Sequence, residues 1–409
     1  LIAQSVGIGE ARHAIASGMV APADVTEIGA LINAADPGCT SDAEIPLFDG
    51  TGAGLQDLAV AAKLVKLAHR NGTAVSVDFQ GKGNDMRVAL NGFGRIGRTI
   101  LRQLLATHSD ITVALINDIA PLDTCAYLFR YDSVFGPFPG EVRTDPDALI
   151  INDQTIPFRQ KRDLADLDLS DVDVVMDCTG TISTRAHAAR GLTAGARNVL
   201  ISGPCDEAEQ TIVLGANAHL LADARIVSNA SCTTNALAPL LRVLQDSCGV
   251  VQGHMTTIHC YTGSQPMVDA PRGDLARSRA GAVSMVPTTT SATRLIDRVL
   301  PDIAGRVTGA AVRVPVISVS AIDLVVTLKT LPDQPLADHL ACIAQTSAVL
   351  GVTRDATVST DLRARPESLV IALPETIQSG NQARIFGWYD NEWGFSARMI
   401  DMARLMAAR

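Results

Sequence analysis

Cys232 sits in the run Ser228-Asn229-Ala230-Ser231-Cys232-Thr233-Thr234-Asn235, between an apolar strand-like piece and a helical stretch, Asn235 to Gln245. A thiol at a helix N-terminus faces the positive end of the helix dipole and unpaired N–H groups, which favour thiolate over thiol. Cys232 is therefore the candidate nucleophile, its sulfur expected to be ionised. His259, in Thr256-Thr257-Ile258-His259-Cys260, could act as its base. A histidine alone on a strand is more often structural, so this pairing needs the fold to bring the two together.

A second constellation reads as a cofactor site. Gly92-Phe93-Gly94-Arg95-Ile96-Gly97 is a G-x-G-x-x-G placed directly after a strand and directly before a helix. Such glycines allow a tight turn and close approach of the backbone to a pyrophosphate, whose charge meets the N–H groups of the helix end. Asp118 closes the next strand about 20 residues past the last glycine, where a carboxylate accepts hydrogen bonds from an adenosine ribose. An acid there repels a 2′-phosphate, so NAD is favoured over NADP.

Three further clusters offer polar chemistry. Pro287-Thr288-Thr289-Thr290-Ser291 carries hydroxyls suited to an oxyanion. Arg277, Arg279 and Arg313 could supply charge to a phosphate. Trp388-Tyr389-Asp390-Asn391-Glu392-Trp393 holds both tryptophans, and Asn391 could hydrogen-bond a carboxamide.

Positioning these residues requires alternating elements. Val88 to Asn91, the glycine loop, an amphipathic stretch to Leu105 and the strand Ile111 to Asn117 form a β-α-β unit. Asp171 to Asp177, Asn198 to Ser202 and Arg225 to Asn229 extend it as buried strands of a parallel sheet. Beyond residue 250, Gly253 to Thr262, Gly305 to Pro315 and Ser320 to Leu328 are rich in Val, Ile and Thr with fewer helices between them, which predicts a second, more antiparallel sheet.

The 409 residues suffice for two or three domains, and 47% hydrophobic against 19% charged residues, with mean hydropathy +0.20, supplies large cores. A formal charge of -9 gives no field to hold a nucleic acid or anionic lipid, and no long apolar run predicts a membrane span. Eight cysteines without a Cys-x-x-Cys pair suggest neither a disulfide framework nor a metal site, and the protein reads as cytoplasmic.

Taken in order, these residues resemble phosphorylating glyceraldehyde-3-phosphate dehydrogenase. The likeness runs from residue 86 to 409 through Asn91-Gly92-Phe93-Gly94-Arg95-Ile96-Gly97-Arg98, Ile116-Asn117-Asp118, Tyr131-Asp132-Ser133, Ser228 through Asn235, Arg313-Val314-Pro315 and Trp388 through Gly394. The resemblance implies an α/β protein: a Rossmann dinucleotide-binding domain, 86–231, completed by the helix 393–408, and an α+β catalytic domain, 232–390, with a mixed, largely antiparallel sheet. It implies NAD-dependent oxidation of glyceraldehyde 3-phosphate to 1,3-bisphosphoglycerate through a hemithioacetal and thioester on Cys232, with His259 as base. Thr262 and Arg313 match the site of the substrate's phosphate. Ser231, Thr233, Arg277, Thr290 and Ser291 match the region that receives inorganic phosphate. Gly92 through Gly97, Asp118, Ser202 and Asn391 match the cofactor residues, with Asn391 on the nicotinamide amide, and a homotetramer is the implied assembly.

Departures mark where specificity could differ. Ser291 stands where the family usually has glycine, Phe395 replaces a common tyrosine, and Ala270-Pro271 replaces the usual Leu-Pro, which leaves room for some NADP use. Erythrose-4-phosphate dehydrogenase is the neighbouring alternative; the retained Thr262 favours glyceraldehyde 3-phosphate. A binding or redox-sensing protein on the same fold is the alternative of another class.

Residues 1–80 do not share that likeness. Glu44-Ile45-Pro46-Leu47-Phe48-Asp49-Gly50-Thr51-Gly52 and Gln56-Asp57-Leu58-Ala59 are similar to the C-terminal part of the ornithine cyclodeaminase and mu-crystallin family, a short extra α/β segment joined by the linker 81–85. Met86 stands where a dehydrogenase of the resembled family normally begins, so the segment reads as a fusion remnant or the product of a misplaced upstream start, with a docking module as the structural alternative.

Overall fold

The computed structural model describes residues 86–409; the N-terminal segment and linker expected over 1–85 lie outside the described residues. The chain opens with β1 (Met86–Asn91), α1 (Arg95–Thr107) and β2 (Ile111–Asn117), with β1 and β2 parallel. It continues through α2 (Leu122–Arg130), β3 (Val142–Asp145), β4 (Ala148–Ile151), β5 (Gln154–Arg159), β6 (Val174–Asp177), α3 (Arg185–Thr193), β7 (Asn198–Ile201), β8 (Gln210–Thr211) and β9 (Ile226–Ser228). These strands form one sheet of order β3-β4-β5-β2-β1-β6-β7-β9-β8. The run from β5 to β8 is parallel, as the alternating pattern predicts. The antiparallel strands β3 and β4 are an addition that the sequence pattern did not announce, because β3 is mostly polar and exposed and β4 is an apolar run of only four residues.

After α4 (Cys232–Cys248) come β10 (Val250–Cys260), β11 (Val286–Thr288), α5 (Ala292–Val299), β12 (Val307–Val314), β13 (Ser320–Leu328), α6 (Leu336–Thr346), β14 (Leu350–Thr353), β15 (Leu369–Ala372), β16 (Ile377–Ser379) and β17 (Gln382–Tyr389). Their sheet runs β11-β12-β10-β13-β17-β15-β14, with β16 also paired to β17. Only β10 with β12 and β14 with β15 are parallel, so the sheet is mixed and largely antiparallel.

Two cores hold the site in place. α4 buries Leu237, Leu240, Leu241 and Leu244 at spacings that put them on one face, against Met255, Ile322, Leu324 and Val326 of β10 and β13. Truncating one of these leucines to alanine would cost about 2–5 kcal/mol. The last helix, α7 (Trp393–Ala407), returns to the first sheet, where Met399, Ile400 and Ala403 share a core with Ile100, Leu101 and Leu104 of α1. Gln103 of α1 donates its side-chain N–H to the Trp393 carbonyl at 2.8 Å, tying the second half of α1 to the start of α7.

Candidate active site

α4 begins at Cys232 itself, three residues earlier than the expected start at Asn235. Ser231 is its cap, accepting the Thr234 N–H on its hydroxyl at 3.1 Å, and Ala230 before it takes a positive φ of 55°. The cap turns the chain out of β9 and leaves Cys232 at the first helical position. β10 ends beside this helix, and its His259 places Nε2 3.6 Å from Cys232 Sγ. Because β10 and β12 are parallel with His259 opposite Arg313, the guanidinium lies along the imidazole.

The Nδ1 of His259 lies 2.7 Å from the Cys260 carbonyl and 2.5 Å from Arg313 Nη1, two contacts with opposite demands on the ring. With the hydrogen on Nδ1 the ring donates to the Cys260 carbonyl, which also accepts from Arg313 at 3.1 Å; with it on Nε2 the ring accepts from Arg313 instead, and the first tautomer is the one that can take the thiol proton. In that tautomer Nε2 is the lone-pair nitrogen, aimed at the thiol. Tyr389 braces the corner: its ring meets His259 edge-on at 6.0 Å, and its hydroxyl bonds Thr233 at 2.9 Å and Thr257 at 2.8 Å.

The electrostatics correct one expectation. Burial pushes the Cys232 thiol above its ordinary value, and neither the Arg313 charge nor the Thr233 N–H overcomes it. Burial, then Arg313, brings His259 down to about 4. Both shifts favour the neutral pair, a thiol beside an uncharged imidazole, over the ionised sulfur. The helix end offers too little charge to offset the loss of water around the sulfur.

A second polar group gathers on the loop before α5. Arg277 donates through Nε to Thr288 Oγ1 at 2.7 Å and through Nη2 to the Thr289 carbonyl at 3.2 Å. Thr290 Oγ1 accepts the Ala292 N–H at 3.1 Å and caps α5, while Ser291 makes no capping bond. Thr262 bonds Ser264 at 2.9 Å. Among the described residues no hydrogen bond joins these groups to Cys232 or His259.

The glycine loop forms the other half. Gly92 has φ of 89°, and a Cβ there would lie 2.7 Å from the Cys178 carbonyl carbon and the Thr179 nitrogen; one on Gly97 would lie 2.2 Å from the Gly92 oxygen. Asp118 accepts the Phe93 N–H at 2.5 Å and the Ala120 N–H at 2.8 Å, pinning the loop to the end of β2.

A family model for the NAD-binding domain of glyceraldehyde 3-phosphate dehydrogenase matches residues 86–185, and one for its C-terminal domain matches 231–391. The glyceraldehyde-3-phosphate dehydrogenase of Cereibacter sphaeroides is 45% identical over 327 residues, covering 78% of this chain and 98% of that enzyme. The enzymes of Xanthobacter flavus, 44% identical over 329 residues (78% of this chain, 98% of the enzyme), and Pseudomonas aeruginosa, 45% over 329 residues (79% and 98%), are similar to it to the same degree. The chain belongs to the glyceraldehyde-3-phosphate dehydrogenase family.

The family's cofactor is NAD, and the cleft over the glycine loop fits it. Gly94, the residue before α1, has open space where a Cβ would stand and lines a cleft of about 430 Å³. Arg98 is the residue whose N–H returns to Gly94, at 3.0 Å, so the N–H groups of Arg95, Ile96 and Gly97 are left for an anion. The Arg95 guanidinium itself is engaged by Asp132 and Glu392, which anchors the loop to the entry of α7. Ser202 follows β7, its N–H bonded to the Asp177 carbonyl at 2.9 Å, and is not on the wall of this cleft. Asn391 lies apart from it too, just past β17.

Sequence reasoning missed several contributors. Asn91 donates to Asp177 at 2.5 Å, Asn117 donates to Asn91 at 2.8 Å, and the Lys161 N–H donates to Asn117 at 2.9 Å, a chain of side chains across the strand ends that floors the cleft. Asn91 and Asn117 flank the motifs and were readable as such; Lys161 gave no local signal. Tyr389 was inside a noted cluster, but only the sheet register brings its hydroxyl to Thr233 and Thr257.

Proposed function

We propose that Cys232 and His259 carry out the phosphorylating oxidation of glyceraldehyde 3-phosphate. The observation that supports this most is the 3.6 Å contact from Cys232 Sγ to His259 Nε2, with the Cys260 carbonyl 2.7 Å from Nδ1 as a place for the imidazole proton. As the sulfur adds to the aldehyde carbon, Nε2 takes the thiol proton and passes it to the former carbonyl oxygen to give a hemithioacetal, and Nε2 would take the hydroxyl proton back as the hydride leaves that carbon. NAD, when bound, supplies the hydride acceptor, leaving the acyl group on Cys232 as a thioester. Inorganic phosphate then attacks the thioester carbon, the C–S bond breaks, and the acyl phosphate departs as Cys232 regains its proton.

Thr262 and Arg313 are assigned to the phosphate of the substrate. Ser231, Thr233, Arg277, Thr290 and Ser291 are assigned to the attacking phosphate. Gly92 through Gly97, Asp118 and Ser202 are assigned to NAD, and Asn391 to its carboxamide. The division 86–231 and 232–390, with 393–408 joined to the first, is part of the same reading.

A homotetramer is the proposed assembly. Its support is the segment between β10 and β11, where Met267, Val268, Leu275, Val283 and Met285 stand exposed. A cytoplasmic location suits chemistry that runs through a free thiol. Residues 1–80 are read as a fragment similar to the ornithine cyclodeaminase and mu-crystallin family.

The test is NAD reduction with glyceraldehyde 3-phosphate and with erythrose 4-phosphate, each with and without phosphate. Phosphate-dependent reduction with the first aldehyde is expected. Preference for the second would reassign the substrate, and no reduction with either would leave the sensing alternative.

A further inference from the structure

Three strand ends meet behind Cys232: the end of β10 at Cys260, the start of β13 at Ser320, and the residue pair that follows β17, closing with Asn391. All three residues are buried. Asn391 Oδ1 lies 3.2 Å from Cys260 Sγ and 3.2 Å from Ser320 Oγ. The Cys260 N–H donates to Ser320 Oγ at 3.2 Å. That bond uses one lone pair of the serine and leaves its hydrogen free to be donated to Asn391.

We propose that Cys260 and Ser320 are positioning residues that fix the side-chain amide of Asn391, holding its oxygen inward and its nitrogen out as a donor for the cofactor's carboxamide carbonyl. This rests on the assignment of Asn391 to the nicotinamide amide. Rotating the Asn391 amide by half a turn would take its oxygen away from both hydrogens and leave the serine and the cysteine without that acceptor in a dry place, which the buried setting penalises. Burial pushes the Cys260 thiol up to about 12, so it keeps the hydrogen this arrangement needs. Asn391 Nδ2 makes no hydrogen bond among the described residues and is left for a ligand.

The arrangement is directional, and that separates it from packing. A cysteine next to the candidate base invites a redox role, yet here its sulfur faces an amide oxygen, and serine, which donates from the same place, should serve as well. Alanine at either position leaves Asn391 with one donor, and alanine at both leaves it free to turn.

Calorimetric titration of the full chain with NAD and with ADP-ribose, which lacks the nicotinamide, tests this. Replacing both Cys260→Ala and Ser320→Ala should weaken NAD about 10-fold while ADP-ribose changes less than about 2-fold, two lost hydrogen bonds being of that order. Cys260→Ser alone should keep NAD within about 2-fold of the wild type. Equal weakening of both ligands, or unchanged NAD binding in the double variant, overturns the proposal. Asn391→Ala separates the two layers. If it leaves the NAD to ADP-ribose ratio at its wild-type value, the carboxamide assignment falls and the positioning falls with it. If it lowers the ratio while the double variant does not, only the positioning falls.

Discussion

The cofactor cleft and the thiol corner are built by different means. The cleft's loop is main chain drawn from one β-α-β unit: Gly92 and Gly97, which tolerate no Cβ, free N–H groups at the start of α1, and a carboxylate that pins the turn. The corner is side chains brought from α4, β10, β12 and β17, those of the strands placed by sheet register and Cys232 by the cap of α4. A backbone site fails when shape is lost; a side-chain site fails when one atom is changed.

That contrast can be broken from either side. Cys232→Ser should lower the rate of aldehyde oxidation by more than roughly 10⁴-fold, as loss of a nucleophile does elsewhere, while calorimetry still shows NAD bound. His259→Gln should cost about 10²- to 10⁴-fold in the rate, with the cleft untouched. Gly97→Ala should do the reverse: the 2.2 Å clash with Gly92 weakens NAD by on the order of 10-fold or more, while alkylation of Cys232 proceeds at its usual rate. A cleft variant that silenced the thiol, or a thiol variant that lost NAD, would erase the distinction.

Smaller effects sharpen it through pH. Arg313 lowers both Cys232 and His259, so Arg313→Gln should move the alkylation profile of Cys232 to higher pH. His259 also makes stability depend on pH. Its folded value of about 4 lies below the unfolded 6.5, so between these the unfolded chain binds a proton that the folded chain refuses. Stability is therefore lost as pH falls from 6.5 towards 4, by roughly 3 kcal/mol at most. Denaturant midpoints should fall less steeply for His259→Gln than for the wild type across that window.

Legibility followed the same divide. The parallel sheet was readable because β1, β2, β6, β7 and β9 are short apolar runs between turn and helix signals, and the glycine loop because its geometry demands glycine at fixed spacing. The β3–β4 hairpin was not, since its strands have no clean alternation. In the corner, residue types were readable but contacts were not: Cys232 and His259 are 27 residues apart, and His259 meets Arg313 only through a parallel pairing of strands far apart in the chain. The upward push on the Cys232 thiol was not legible, because a helix N-terminus is visible in sequence and burial is not. Cys260 and Ser320 carried no motif at all.

The central claim is that the acyl group is carried on Cys232. Mixing the enzyme with NAD and glyceraldehyde 3-phosphate in the absence of phosphate, quenching in acid and measuring intact and peptide masses tests it directly. An acyl adduct on the peptide containing Cys232, released when phosphate is added before the quench, is the expected result. NADH formed with no adduct, or an adduct on another cysteine, would contradict it.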